Sequence, residues 1–157
     1  MKLSEHFTEI EFLRSQVASR KGIDNTFQSE LHRSNARFLC ERFLEPLRAV
    51  INDPIIITSG YRCLALNRAV GGSSTSAHVY GLAVDFIPLK TEPKQAFETL
   101  IKLHREKKVP NFDQLIWEYD GAWIHLGLSL VINRNQILKT QFIKNEKGKN
   151  VLKYVNY

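Results

Sequence analysis

One acidic side chain constrains this chain more than any other feature. Asp85 sits inside Leu82-Ala83-Val84-Asp85-Phe86-Ile87, a run whose apolar and β-branched content reads as a buried strand. Strand alternation puts Leu82, Val84 and Phe86 on one face and Ala83, Asp85 and Ile87 on the other. A carboxylate among such neighbours is costly to bury unless it is paired, hydrogen-bonded or bound to a metal. The fold therefore has to bring a partner to this strand.

Two histidines are placed to serve. His78 lies seven residues earlier, across Val79-Tyr80-Gly81, and Gly81 lets the chain bend so that the imidazole turns back toward Asp85. His125 lies in a second strand-like run, Trp123-Ile124-His125-Leu126. Two imidazoles and one carboxylate form a three-ligand set for one Zn2+ per chain with a fourth position left for water, the arrangement of a hydrolytic centre rather than a structural plug. The His-x6-Asp spacing alone does not separate a ligand set from a histidine satisfied within a core.

The second run belongs to a hairpin. Residues 112–118 and 123–130 read as strands joined near Asp120-Gly121. With those two residues central to the turn, Glu118 pairs with Trp123 and Ile116 pairs with His125. Glu118 then lies diagonal to His125 on the same face, within reach of the same water. A free carboxylate there takes a proton as water attacks and returns it to the leaving amine. Asp120 is the competing general base, although its place before a glycine is accounted for by turn chemistry. Arg62 leaves another strand-like run, residues 55–58, through Ser59-Gly60-Tyr61, where its guanidinium can clamp a substrate carboxylate. Trp123, Tyr61 and Tyr80 are candidate substrate contacts, while His6, His32 and His104 read as bystanders.

The rest of the chain supplies a scaffold. Its 157 residues suit a single domain, with residues 136–157 expected as a basic C-terminal extension forming a hairpin packed on it. Thr8-Glu9-Ile10-Glu11 has the form of a capping box. Residues 29–50 repeat apolar side chains at helical spacing, with Pro46 predicting a kink or break. Residues 64–70 read as a helix, residues 71–76 as a loop, and a further helix to about Arg105 starts with Thr91 as cap and Pro93 early. The class expected is α+β, helices packed on a small, mostly antiparallel sheet.

The formal charge of +6 favours polyanionic neighbours without choosing among them, and no basic recognition element accompanies the metal constellation, so nucleic acid is not an expected partner. No segment is long and apolar enough to read as a signal peptide or membrane span, so any export is expected to take another route. Cys40 and Cys63, the only cysteines, read as two small buried thiols. A monomer is expected.

Ser76-Ala77-His78, Gly81 and Ala83-Val84-Asp85 together resemble the SxHxxGxAxD signature of the zinc D-Ala-D-Ala carboxypeptidases and L-alanyl-D-glutamate endopeptidases, in particular their small single-domain carboxypeptidase-like branch. Ser59-Gly60-Tyr61-Arg62 and Trp123-Ile124-His125 resemble two further elements of that family, and the likeness extends from His6 to about Leu130. It implies His78, Asp85 and His125 as zinc ligands, Arg62 on a peptide carboxylate, Ser76 near the substrate, and a peptidoglycan stem peptide cut by water, with a zinc D-Ala-D-Ala carboxypeptidase-like fold. Several members carry the catalytic acid three residues before the last ligand, where this chain has Ala122, so Glu118 is the substitute. The alternative implied by Ala122 is a non-catalytic cell-wall-binding or phage structural module that keeps the zinc fold.

Overall fold

The computed structural model describes residues 1–157. Six strands, β1 (Ile55–Ser59), β2 (Ala83–Pro88), β3 (Gln114–Glu118), β4 (Trp123–Gly127), β5 (Gln136–Lys144) and β6 (Asn150–Asn156), form one sheet in the order β1-β2-β4-β3-β5-β6. Every neighbouring pair is antiparallel except β3 and β5, which run parallel. Helices α1 (Glu9–Leu13), α2 (Gln16–Lys21), α3 (Glu30–Leu39), α4 (Glu45–Ile51), α5 (Leu64–Ala69) and α6 (Pro93–Arg105) complete an α+β architecture. None of them is long and apolar enough to cross a membrane.

Alternation divides the sheet into two unlike faces. Val84, Phe86, Leu115, Ile124 and Leu126 are fully buried and join one apolar cluster with Leu39, Phe43, Leu47, Phe97 and Leu100 from the helices. Burying such side chains contributes about 1.5–3 kcal/mol each, which fixes the register of the central strands. Asp85, Ile116, Glu118, Trp123 and His125 occupy the opposite face, as their strand pairing requires.

Helix starts follow their local chemistry. The capping box at Thr8 forms in full, with the Glu11 carboxylate accepting from the Thr8 N–H at 2.7 Å. Pro46 neither breaks nor sharply ends the long helix. A wide π-type turn over Cys40–Leu44 sends the Glu45 N–H to the Cys40 carbonyl, and α4 begins at Glu45 with the proline, which has no N–H to give, in its first turn. The cap expected at Thr91 is corrected: α6 is preceded by Glu92 with no side-chain cap, and the Thr91 N–H instead donates to Asp53 Oδ2 at 2.7 Å. Pro93 does open the helix. Cys40 and Cys63 are free and buried. Beyond β4 the chain adds β5 alongside β3 and folds back as β6 through a turn closed by the Gly148 N–H on the Asn145 carbonyl, 2.9 Å.

Candidate metal centre and active site

Three different elements carry the three candidate ligands. Asp85 projects from β2 and pairs directly across the ladder with His125 of β4. His78 comes from a short 3-10 turn, Ala77–Tyr80, which ends at Gly81 with φ 69°. Only glycine serves there, because a Cβ would also run into the His32 carbonyl oxygen. The ligand atoms of His78, Asp85 and His125 all lie within 4.8 Å of one another.

Hydrogen bonds orient the imidazoles. His78 Nδ1 is 2.6 Å from the Gly60 carbonyl oxygen. A carbonyl only accepts, so Nδ1 carries the proton and the Nε2 lone pair faces Asp85 Oδ2, 3.4 Å away. His125 Nδ1 lies 2.7 Å from Asp85 Oδ1. Arg62 donates from Nη2 to Asp85 Oδ2 at 3.0 Å and from Nε to Ser59 Oγ at 2.9 Å. Burial opposes the charge on Asp85, yet His78 and His125 outweigh it and hold the carboxyl well below the usual range. Burial pushes His78 the other way, toward the neutral imidazole that a metal requires, against the pull of Asp85. Two imidazole nitrogens and an ionised carboxylate, converging at a buried point with one tautomer fixed from behind, fit a divalent metal.

Glu118 stands beside this set. The β3–β4 register pairs Glu118 with Trp123 and Ile116 with His125, so Glu118 is diagonal to His125. The tight turn falls one residue earlier than the sequence suggests: the Gly121 N–H closes on the Glu118 carbonyl at 2.9 Å, with Tyr119 and Asp120 both at positive φ. The Ala122 N–H reaches the same carbonyl at 3.0 Å, so the register is unaffected. Glu118 is buried, and its Oε2 has no hydrogen-bond partner. Burial, reinforced by Asp85 and opposed by His125, pushes its carboxyl up to about 6. Asp120 is exposed at the turn and does not line the cleft.

The cleft has a volume of about 780 Å3, and the three ligand candidates, Glu118, Arg62, Ser76 and Trp123 all border it. Tyr80 does so as well. Tyr61 is a correction. Its ring is 2% exposed, stacked near Phe27 at 4.9 Å, with its hydroxyl at 3.3 Å from His32 Nδ1. It packs into the core and does not border this cleft. Sequence reasoning missed Tyr119 and Tyr154, which line the cleft beyond Glu118, and the Asp113–Arg134 ion pair at its rim, 2.6 Å. Alternation along β6 was the available signal for Tyr154, but it needed the β3–β5 pairing to place that strand beside the site.

Residues 5–127 match the family described as Peptidase M15. The chain belongs to the Peptidase M15 family. Its members are zinc-dependent peptidases, and the His78-Asp85-His125 cluster is where this chain has a donor set for such a metal. No curated protein matches the chain. The family match ends at Gly127, the last residue of β4, so the β5–β6 hairpin and its contribution to the cleft lie beyond it.

Proposed function

We propose that this M15 peptidase hydrolyses a peptide bond in the stem peptides of bacterial peptidoglycan, with Glu118 as the group that carries the proton. The observation behind this reading is the state of Glu118: a buried carboxyl with an unpartnered oxygen, poised at about 6, on the face and one diagonal step from His125. His78 Nε2, Asp85 and His125 Nδ1 would hold one Zn2+. When bound, the metal supplies Lewis acidity toward the peptide carbonyl and toward water. Glu118 accepts the proton that water loses at Oε2 and delivers it to the nitrogen of the departing amine. The Gly60 carbonyl keeps His78 in the ligating tautomer. Arg62 balances Asp85 and presents its remaining N–H groups to a substrate carboxylate. Ser76 and Trp123 border the same space and would contact the peptide.

Ala122, exposed in the turn where several relatives of this kind carry their acid, supports a second reading: a wall-binding or phage structural module without turnover. Zinc-loaded protein incubated with stem peptides distinguishes the two. Release of an amine that stops with chelator and falls by about 100-fold or more in Glu118→Gln supports the peptidase. Binding to sacculi without any cleavage, by protein that carries zinc, refutes it.

A further inference from the structure

We propose that an arginine-lined groove continues the cleft past Arg62 and Trp123 and binds the carboxylates of an acidic, extended peptide segment. This rests on the peptidase reading and specifies which substrates the site accepts. The groove, about 850 Å3, lies between the α1–α2 corner and β1, and it shares Arg62, Val70 and Trp123 with the cleft that holds the ligand set. Its charged lining residues are Arg14, Arg20 and Arg62, with no aspartate or glutamate among them. Arg14 and Arg20 are exposed and make no ion pair. Elsewhere around the site a cation is neutralised where it stands: Arg134 is paired with Asp113, and Arg62 with Asp85. Arg14 and Arg20 therefore leave the groove with positive charge that no acidic side chain in its lining offsets.

Its floor gives a second reason to place a peptide there. Ile56 through Ser59 line it, and these belong to β1, which is an edge of the sheet with a strand partner on one side only. An edge strand offers main-chain donors and acceptors to an extended chain, and Val17 and Leu66 add apolar walls. A peptide laid along β1 would run past Arg14 and Arg20 and enter the ligand-set cleft at Arg62. Chain is then accommodated beyond the residues at the scissile bond, which is the requirement of internal cleavage rather than of trimming one terminal residue.

The test uses two fluorescent peptides of identical length, one with free D-glutamate carboxylates and one with them amidated, binding to the full chain held in chelator so that nothing is cut. The acidic peptide should bind about 10-fold more tightly at low salt, with the advantage shrinking as salt rises. Arg14→Gln/Arg20→Gln should remove the advantage while leaving the affinity for the amide unchanged, and Arg14→Glu/Arg20→Glu should reverse it. Equal binding of both peptides to the natural protein, or a preference undiminished in the double variant, overturns the groove. Hydrolysis by zinc-loaded protein is scored separately. Cleavage without the arginine-dependent preference removes the groove alone. An arginine-dependent preference without cleavage keeps the groove and removes the peptidase reading.

Discussion

Replacing Glu118 by glutamine should remove a pH-dependent loss of stability from the metal-free protein while impairing its chemistry. The carboxyl moves from 4.5, its value in an unfolded chain, to about 6 in the fold, chiefly because burial penalises the charged form. Between those two values the folded state holds more protons than the unfolded one, so stability falls as pH rises through that window. The full difference corresponds to about 2 kcal/mol, and screening by water in the open cleft reduces the expected effect to about 1 kcal/mol. Glutamine does not titrate. The stability of Glu118→Gln relative to the natural chain should therefore improve by about 1 kcal/mol between about pH 4 and about pH 8. Any fixed offset from exchanging an oxygen for an NH2 group cancels in that comparison. Urea unfolding of both proteins in chelator at the two pH values measures it. A pH-independent difference, or one that favours glutamate as pH rises, would falsify the assignment of Glu118 as a strained, functional carboxyl.

Three further outcomes are expected. Asp85→Asn removes the only carboxylate of the ligand set, so zinc retained after dialysis should fall from one ion per chain to background in elemental analysis. Tyr61→Phe deletes the hydroxyl that meets Gln28 and His32, and should lower stability by about 1 kcal/mol with KM unchanged; a raised KM would return Tyr61 to the substrate site. Gly81→Ala forces a side chain into left-handed backbone and onto the His32 carbonyl. It should destabilise by about 2 kcal/mol or more and weaken zinc binding by moving the turn that carries His78. Zinc affinity unchanged in a folded Gly81→Ala protein would disconnect that turn from the metal.

Much of the fold could be read because its signals are local. The capping box at Thr8, the β-branched run at β1 and the alternation around Asp85 each need only a few neighbouring residues, and the register of β3 on β4 follows from the short turn between them. Other features were illegible for physical reasons. Helix α2 is six residues long, too short for periodicity to show, and is marked only by the Ser15 cap. Whether Pro46 would kink, break or be absorbed depended on how the preceding turn repacked. The pairing of β5 with β3 is parallel and long-range, so nothing within β5 announces it.

The three candidate ligands stand out in the sequence because charged and imidazole side chains are conspicuous among apolar neighbours, whereas their supporting contacts are made by residues that look ordinary. The Gly60 carbonyl behind His78 leaves no mark in sequence at all. Asp85, the residue that most constrains the fold, is satisfied by the site itself: His125 meets Oδ1 and Arg62 donates to Oδ2. The contacts around the candidate metal centre are therefore also those that allow β2 to be buried. A variant such as His125→Ala strips a partner from a buried carboxylate as well as removing a ligand, and such losses run to about 3–5 kcal/mol when a buried charge is left unpaired. Activity lost in that variant says little by itself. Glu118, whose removal relieves strain instead of creating it, separates the chemistry from the fold.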